Sequence, residues 1–473
     1  MEILKPDICV IGGGSGGLSV AAAAAAFGVP VVLIEKHKMG GDCLNTGCVP
    51  SKALLAAAKH AHALRAAEKF GVAATVNVDA TKVHDHVHGV ITAIAPIDSV
   101  ERFTGLGVRV IKGEAKFKDK RTVSVGDVEI RARRFVIASG SSASAPPIPG
   151  LDQVSYLTNE SIFDLTVLPQ HLLIIGGGPI GLEMAQAFRR LGSDVTVVEA
   201  AQPLSKDDPE CARIVLTALE REGVVIRSGA KVKSAAHADG KITLTVEDGE
   251  RDVKLEGTHL LVAAGRKATV DGLGLEAAGI KTERGGITVN KSLRTSNRRV
   301  YAIGDCAAGQ LQFTHAANYH AGLVIRSALF RLLVSVNNNA IPWVTYTDPE
   351  LAQTGLSEAQ ARQRGIKFKV LRWPYHDNDR AQAERATQGH IKVIVTTRGK
   401  ILGTTIVGAQ AGELITAWTL AIAQKLNIRA MTGIVVPYPT LAEIGKRAAI
   451  DYFTPSLTSP LLRRIIRWLR IFG

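Results

Sequence analysis

Residues 7–27, DICVIGGGSGGLSVAAAAAAF, form the stretch of this 473-residue sequence that decides its fold. An apolar run at residues 7–11 is suited to a buried parallel strand, and the loop GGGSGG at residues 12–17 follows it. After an alanine-rich helix, a second apolar strand at residues 31–34 ends at Glu35. Strand, G-x-G-x-x-G loop, helix, strand and acid in this order predict a dinucleotide-binding fold.

The glycines of this loop have separate physical roles. Gly12 allows the tight turn, Gly14 lets a pyrophosphate approach the backbone, and Gly17 lets the helix pack close to the strand. The helix predicted over residues 18–27 offers N–H groups and a positive dipole to the phosphates. Glu35 is predicted to accept hydrogen bonds from a ribose.

The same construction recurs later in the chain. A strand at residues 171–175 leads into a loop in which Gly176, Gly178 and Gly181 take the corresponding places. A helix is predicted over residues 182–191, and the next strand ends at Glu199, at the same distance from its first glycine as Glu35. One G-x-G-x-x-G loop is weak evidence because glycine-rich turns are common, but two copies in full context predict two dinucleotide sites.

The acid of the second site bears on the choice of cofactor. A carboxylate at the ribose favours NAD because it would repel the extra phosphate of NADP. Glu199 is followed by Ala200, Ala201 and Gln202, so no arginine stands beside it to receive that phosphate. The sequence predicts NADH as the donor, with NADPH as the less favoured alternative.

Two cysteines follow the first site, in GGDCLNTGCVPSK at residues 40–52. Because this segment comes after the ribose-binding acid, Cys43 and Cys48 are expected to face the reactive ring of the bound dinucleotide. A flavin can pass two electrons to a disulfide, whereas nicotinamide needs a flavin as intermediary. We therefore predict FAD at the first site, a nicotinamide at the second, and a redox-active cysteine pair. The alternatives, a zinc half-site or two buried thiols, are disfavoured because zinc needs further Cys or His partners.

The segment at residues 40–55 resembles the redox motif of the class I pyridine nucleotide–disulfide oxidoreductases, the family of glutathione reductase, dihydrolipoyl dehydrogenase and mercuric reductase. The resemblance extends to about Tyr452. It includes VIASGS with Gly140, LVAAGRKAT with Gly265, and VYAIGDCA with Asp305. It implies an α/β fold of two Rossmann-like domains, one inserted in the other, and a C-terminal α+β dimerisation domain.

The resemblance also implies roles for single residues. Asp305 and Gly140 are expected at the FAD site, Gly265 at the NAD site, and Lys52 and Glu183 as a pair beside the flavin ring. Cys48 is implied as the thiolate that touches the flavin, and Cys43 as the thiol that meets the substrate. The family forms homodimers through its C-terminal domain.

The sequence departs from the family at the acid–base residue. Disulfide reductases carry His-Pro-Thr-x-x-Glu there, from the partner subunit, whereas this chain has Tyr438 in place of the histidine and keeps Glu443. A phenol with an ordinary pKa of about 10 is a poor proton shuttle at neutral pH. Mercuric reductase also carries tyrosine there. Mercuric reductase uses a C-terminal cysteine pair to deliver the metal ion, however, and no cysteine follows Cys306 in this sequence. The N-terminal metal-binding domain of mercuric reductase also has no counterpart in this sequence.

Three functions therefore stay open. The favoured one is a mercuric-reductase-like oxidoreductase that passes electrons from NAD(P)H through FAD and the Cys43–Cys48 disulfide to a mercuric-ion-like or other soft acceptor. The alternatives are a dihydrolipoyl dehydrogenase-type disulfide reductase, and a membrane-peripheral flavoprotein that serves a quinone or acts as a redox sensor.

The composition limits partners and location. The net charge of +14 would suit nucleic acid, but no recognition-helix, zinc-finger or aromatic-basic RNA signature is present, so nucleic acid is not predicted as a partner. Five scattered cysteines do not form a secreted disulfide framework, which predicts a cytoplasmic location. His84, His86 and His88 are interpreted as a solvated helix surface, and no resident metal site is predicted.

The predicted division is an FAD domain at residues 1–151 and 268–340, an NAD(P) domain at 152–267, an interface domain at 341–455 and a basic amphipathic tail at 456–473. On a helical projection of residues 459–473, apolar side chains gather on one face and four arginines on the other. Two interpretations stay open: the tail lies on an anionic membrane surface, at the inner face of the membrane, or it packs on the protein's own dimerisation domain.

Overall fold

The strand ahead of the first glycine loop is the central strand of a five-stranded sheet in the computed structural model, which describes residues 2–249 and 251–473. Every neighbouring pair in this sheet is parallel. From edge to edge the strands are Val300–Ala302, Arg134–Ile137, Ile8–Ile11, Val31–Glu35 and Val108–Lys112. All four residues of the central strand are buried, as expected for a parallel strand that is covered on both faces.

The helix after the loop, Ser15–Ala26, begins earlier than the sequence predicted, because the last loop residues form its first turn. Small side chains such as Ala21 and Ala24 let it pack closely against the helix Thr314–Ala328 in one apolar core. A second core on the other side of the sheet includes Phe117 and Phe135, whose rings meet edge to face. A small mixed sheet borders it, with strands Glu2–Leu4, Val128–Ile130, Val123–Val125 and Lys116–Phe117.

The second predicted strand, His171–Ile175, pairs in parallel with Asp194–Glu199 and with His259–Val262. The helix in this copy, Pro179–Leu191, also begins before the predicted position, since proline is well suited to the first helical turn. An antiparallel meander lies near these strands and consists of Lys231–Ala238, Lys241–Asp248 and Arg251–Gly257.

A five-stranded sheet near the C-terminus is antiparallel throughout. Its order is Trp343–Thr345, Glu350–Gly355, Ile401–Gly408, His390–Thr396 and Phe368–Pro374. The helices Ala411–Ala423 and Glu443–Asp451 bury Trp418 and Ile444 in its core. Parallel and antiparallel sheets together confirm the predicted α/β class.

The remaining elements are short, apart from three longer helices. The other α-helices are Gly41–Asn45, Cys48–Arg65, Ala80–Ile94, Val100–Gly105, Pro209–Arg221, Glu358–Gln363, Asp379–Ala383, Ile428–Gly433, Thr454–Leu457 and Pro460–Leu469. The other strands are Ser141–Ala143, Val225–Ser228, Arg266–Ala268, Thr282–Glu283 and Gly286–Ile287. Across residues 2–249 and 251–473, none of the helices has the length and apolar character needed to cross a bilayer.

By internal contacts, the described chain forms two compact units. One contains the described residues of 1–176, 187–198 and 230–336, and the other contains residues 177–186, 199–229 and 337–473. This division follows packing density and does not test the predicted domain boundaries, which stay a prediction.

A buried lysine joins two segments of the second unit. Lys392, on the strand His390–Thr396, is only 4% exposed, and its Nζ lies 2.7 Å from Asp208 Oδ2, 2.8 Å from Glu358 Oε2 and 3.0 Å from Glu210 Oε2. Burial opposes the charge, but the hydrogen bonds to these carboxylates outweigh it and raise the pKa of Lys392. Asp208 also caps the helix Pro209–Arg221. The ion cluster therefore ties the start of this helix to the sheet.

Replacement of Lys392 by methionine is expected to destabilise the protein by roughly 3–5 kcal/mol, because Asp208 would stay buried without its partner. The double variant Lys392→Met/Asp208→Asn should recover much of this loss, since asparagine keeps the helix cap and carries no charge. Urea unfolding of the holoprotein measures both, and Lys400→Met at an exposed position is the control. An equal loss of stability in the single and double variants would show that the broken Lys392–Asp208 pair is not the cause of the destabilisation.

Candidate active site

The first glycine loop leaves no space for side chains at two of its positions. Gly12 has a φ of +109°, and a Cβ atom there would lie 2.3 Å from the carbonyl oxygen of Ala138. A Cβ atom on Gly17 would lie 1.9 Å from the carbonyl oxygen of Gly12, so only glycine lets the helix start this close to the turn. At Gly14 the nearest atom to such a Cβ is Gly41 Cα at 3.8 Å. The loop is therefore tightly packed towards the sheet and open at Gly14.

Glu35 holds this loop closed from the end of the neighbouring strand. Its Oε2 accepts a hydrogen bond of 2.6 Å from the Gly13 N–H, and its Oε1 accepts one of 2.6 Å from the His37 N–H. The helix Ser15–Ala26 begins beside it with no acidic residue in its first turn. The first N–H groups of a helix lack intrahelical partners and favour an anion.

The second loop repeats this arrangement. The Oε2 of Glu199 accepts a hydrogen bond of 2.7 Å from Gly177 N–H, and its Oε1 accepts one of 2.8 Å from Ala201 N–H. Gly176 has a φ of +116°, which matches Gly12. A Cβ atom on Gly178 would have no described atom within 4 Å, and Gly181 is buried in the helix Pro179–Leu191. The two loops are built alike in their carboxylate contacts as well as in their glycines.

The two cysteines of the redox motif lie together at the start of a helix. Cys43 is on the short helix Gly41–Asn45, and Cys48 is the first residue of Cys48–Arg65. Both are free thiols in this structure, and each acts on the pKa of the other. The Sγ of Cys48 also lies 3.4 Å from the Oγ1 of Thr314, which begins the helix Thr314–Ala328. Two helix N-termini therefore meet at the Cys48 sulfur.

These contacts make the two thiols unequal. The hydrogen bond from Cys43 lowers the pKa of Cys48 to about 6; burial opposes this shift, while Thr314 and the charge of Lys52 support it. The pKa of Cys43 is raised by its hydrogen bond to Cys48 and by burial. The positive dipoles of the two helix N-termini also stabilise the Cys48 thiolate and so favour a low pKa for Cys48. At neutral pH Cys48 is the thiolate and Cys43 the thiol.

An arginine connects the cysteine segment to the end of the parallel sheet. Arg266 Nε donates a hydrogen bond of 2.8 Å to Ser141 Oγ, and Ser141 Oγ donates one of 2.6 Å to Asp305 Oδ2. Arg266 Nη2 also lies 3.3 Å from Asp42 Oδ1, next to Cys43. Burial raises the pKa of Asp305, and the hydrogen bond from Ser141 opposes that shift. The sequence drew attention to Asp305 but not to Arg266 or Ser141.

Gly140 and Gly265 lie at opposite ends of a short antiparallel ladder. Gly140 precedes the strand Ser141–Ala143, and Gly265 precedes the strand Arg266–Ala268, which pairs with it. Both have positive φ, +69° and +148°. At each of these two glycines the chain turns into its strand of the ladder.

The residue that replaces the family's histidine has a fixed partner. Tyr438 is exposed, and its Oη donates a hydrogen bond of 3.0 Å to Asp379 Oδ2. This hydrogen bond and the charge of Asp379 raise the pKa of Tyr438, and Glu443 adds to the effect. Asn378 donates a hydrogen bond of 3.0 Å to the Thr440 carbonyl, which ties the two segments together. Tyr438 is thus a neutral phenol whose proton is directed at Asp379.

Comparison with known proteins explains the arrangement. The profile described as "Pyridine nucleotide-disulphide oxidoreductase" matches residues 6–321, and that of the family's dimerisation domain matches residues 341–449. The chain belongs to this family. It is 38% identical to a mercuric reductase of Streptomyces lividans, over 94% of this chain and 95% of that one. It is 37% identical to a dihydrolipoyl dehydrogenase of Thermus scotoductus, over 92% and 95%.

Solved structures of the same family superpose on most of the chain. LpdA from Mycobacterium tuberculosis gives a TM-score of 0.87 at 26% identity and covers 95% of this chain and 99% of its own. The Cu(II) complex of the HOCl-induced flavoprotein disulfide reductase RclA from Escherichia coli gives 0.83 at 28% identity, over 93% and 98%. The predicted family, enzyme class and cofactors, FAD and NAD(P)H, are confirmed, and the chain carries a dimerisation domain.

The residues present fit these cofactors. The open space at Gly14 and the adjacent helix start suit the pyrophosphate of FAD, and Gly178 offers the same feature in the second loop. Glu35 and Glu199 each use both oxygens on backbone N–H groups, and a carboxylate can still accept further hydrogen bonds from a ribose. Both acids therefore shape the loop that would hold the nucleotide.

The remaining predicted site residues are placed as follows. Lys52 lies one turn after Cys48 on the same helix, and its charge lowers the pKa of Cys48. Glu183 is 4% exposed, and its Oε1 accepts a hydrogen bond of 2.9 Å from the Tyr346 N–H. The expected Lys52–Glu183 pair stays a prediction. His84 and His88 lie on the helix Ala80–Ile94 with ring centroids 4.2 Å apart.

In the reduced enzyme, alkylation of Cys48 by iodoacetamide should follow pH with a midpoint of about 6, because only the thiolate is nucleophilic. The thiolate is present above this pH and is lost below it. Thr314→Val removes one stabilising hydroxyl and should raise the midpoint by about one pH unit.

Mass spectrometry of the Cys48 peptide across acid and neutral pH gives the rate. Thr314→Ser keeps the hydroxyl and should keep the midpoint. An unchanged midpoint in the valine variant would show that the Thr314 contact does not stabilise the thiolate.

The replacement Asp379→Asn should lower the pKa of Tyr438, because a carboxylate beside a phenol disfavours its ionisation. Ultraviolet titration of tyrosinate absorbance measures the shift, and subtraction of the Tyr438→Phe titration isolates this phenol. Asp377→Asn is the control, because Asp377 is also exposed and lies two residues earlier in the chain. An equal shift in both variants would contradict the assigned contact.

Proposed function

We propose that this chain is an NADH-dependent flavoprotein that passes electrons through the Cys43–Cys48 pair to a soft metal ion, with mercuric ion as the model acceptor. The observation that carries the proposal is the Tyr438–Asp379 hydrogen bond of 3.0 Å. This hydrogen bond favours the neutral form of the Tyr438 phenol, at the position where a disulfide reductase needs an acid–base residue. The name of the mercuric reductase relatives favours the same acceptor.

The chemistry of the two thiols agrees with a metal acceptor. When Cys43 attacks a disulfide substrate, the S–S bond breaks and one sulfur leaves as a thiolate, which needs a proton that a phenol of raised pKa supplies poorly. A soft metal ion binds thiolates directly; its binding releases the Cys43 proton and produces no leaving thiolate that must be protonated. Cys48 is already the thiolate at neutral pH.

The chain's own residues would divide the work as follows. FAD, when bound, supplies the two-electron chemistry that connects a nicotinamide to a disulfide. Gly14 and the start of Ser15–Ala26 would hold its pyrophosphate, and Asp305 its ribityl chain. Gly178 and Glu199 would hold the nicotinamide dinucleotide, with NADH favoured over NADPH because Glu199 repels a 2′-phosphate. Cys43 would meet the acceptor, and Lys52 would support the Cys48 thiolate.

The assembly that fits this proposal is a homodimer. We assign residues 1–151 and 268–340 to FAD, 152–267 to NAD(P)H, 341–455 to the subunit interface and 456–473 to a separate tail. Tyr438 and Glu443 would then face the Cys43–Cys48 pair of the other subunit. A cytoplasmic location fits a catalytic cysteine pair, because structural disulfides are rare in that compartment.

Two other functions are alternatives. A dihydrolipoyl dehydrogenase-type activity is favoured by the Thermus scotoductus relative, which is named for it. A membrane-peripheral role, with a quinone as acceptor, is favoured by the exposed basic helix Pro460–Leu469.

NADH oxidation by the holoenzyme with Hg(II), lipoamide, glutathione disulfide and a soluble quinone separates these functions. We expect the rate to be highest with Hg(II) as the acceptor, and the rate with NADH to exceed the rate with NADPH. The variant Tyr438→His should raise disulfide turnover by about a hundredfold, because it restores an acid–base group. Tyr438→Phe is the control, since it removes the hydroxyl without adding such a group. Lipoamide or glutathione disulfide turnover equal to that with Hg(II) in the unaltered enzyme would reject the proposal.

A further inference from the structure

The last helix described in this chain, Pro460–Leu469, is exposed along its whole length. It continues into the short 3-10 turn Arg470–Phe472, and every residue from 460 to 473 is exposed. Seven large apolar side chains in this segment are between 36% and 73% exposed. They are Leu461, Leu462, Ile465, Ile466, Trp468, Leu469 and Phe472. Such a concentration of exposed apolar surface marks an interaction site.

The helix separates its apolar and charged side chains on opposite faces. At about 100° per residue, the seven apolar side chains fall on one side. The other side carries Arg463, Arg464, Arg467 and Arg470, together with Ile471. The segment contains no acidic residue, so this face has a uniformly positive charge.

Two aromatic rings stand at the C-terminal end of the apolar face. Trp468 and Phe472 have ring centroids 5.1 Å apart and meet edge to face. Both rings are exposed. Rings of this kind, and tryptophan above all, favour the boundary between lipid headgroups and acyl chains.

Charge complementarity selects the class of partner. Four arginines beside an apolar face fit a surface that offers both hydrocarbon and negative charge, which describes an anionic lipid bilayer. The net charge of +14 on the whole chain acts in the same direction. A helix of ten residues is about 15 Å long, half of the roughly 30 Å hydrocarbon core, so it suits the bilayer surface.

We propose that residues 460–472 are a peripheral membrane anchor that lies flat on an anionic lipid bilayer, with the apolar face inserted and the arginines at the phosphates. This inference goes beyond the proposed redox function and does not depend on its acceptor. The anchor would hold the enzyme at the membrane whichever electron acceptor it serves.

Co-sedimentation of the FAD-loaded enzyme with vesicles tests the anchor. One set of vesicles contains phosphatidylcholine alone, and the other contains equal parts of phosphatidylcholine and phosphatidylglycerol. We expect binding to the anionic vesicles to be at least tenfold tighter, since each arginine near such a surface contributes about fivefold. Arg463→Gln/Arg467→Gln should weaken it about 25-fold, and added salt should weaken it further.

A pair of serine substitutions tests which face is inserted. Leu469→Ser on the apolar face should reduce binding to anionic vesicles by about tenfold or more. Ile471→Ser is the control, because Ile471 is also exposed, 75% against 52% for Leu469, but stands on the arginine side. Neither residue belongs to the redox site, so NADH oxidation should be unchanged in both variants and shows that they are folded.

The outcomes separate an anchor from a subunit contact. Absence of co-sedimentation with anionic vesicles overturns the proposal, as does an equal loss in Leu469→Ser and Ile471→Ser. Sedimentation velocity of both variants distinguishes the remaining case. If the unaltered enzyme does not bind anionic vesicles and Leu469→Ser dissociates it into smaller species, the apolar face belongs to a contact between two copies. Failure of the Hg(II) assay with intact vesicle binding would reject the proposed function and leave the anchor in place.

Discussion

The anionic state of the Cys48 sulfur depends on groups that are brought together from distant parts of the sequence. Cys43 and Lys52 come from the same motif, but Thr314 comes from a helix near the end of the first unit. That helix is positioned because it packs against Ser15–Ala26, whose alanines allow close approach. Ser15–Ala26 can in turn start where it does only because Gly17 carries no side chain. The glycine loop therefore determines the reactivity of the thiol as well as the nucleotide site.

The two thiols illustrate how one hydrogen bond can assign two roles. The same contact that lowers the pKa of Cys48 raises that of Cys43, so the pair holds one proton and one negative charge. The helix N-termini at Cys48 and Thr314 reinforce this asymmetry. The Tyr438–Asp379 pair shows the same principle with opposite effect, since a carboxylate acceptor keeps the phenol neutral. Both protonation states follow from the charges and hydrogen bonds around the group, which the identity of the residue alone does not determine.

The features that sequence predicted well are those encoded within a short window. The two strands, their glycine loops and the acids Glu35 and Glu199 could be located because turn geometry and strand burial require particular residues at fixed spacing. The helices began earlier than predicted, since loop glycines and a proline can occupy a first helical turn. Thr314, Arg266 and Asp379 were not assigned, because each acts on a residue far away in the chain. The burial of Lys392 was not predicted either, because a lysine is buried only where it is paired and its carboxylate partners come from distant parts of the chain.

The carboxylates that close the two glycine loops have a consequence for engineering of coenzyme preference. Glu199 accepts hydrogen bonds from Gly177 and Ala201, as Glu35 does from Gly13 and His37, so each acid is a structural brace of its loop. A redesign that exchanged this acid for a neutral or basic residue would leave two backbone donors without their acceptor. Redesign towards a phosphorylated coenzyme would therefore begin at the neighbouring positions Ala200 and Gln202, where a basic side chain can be added while the brace is kept.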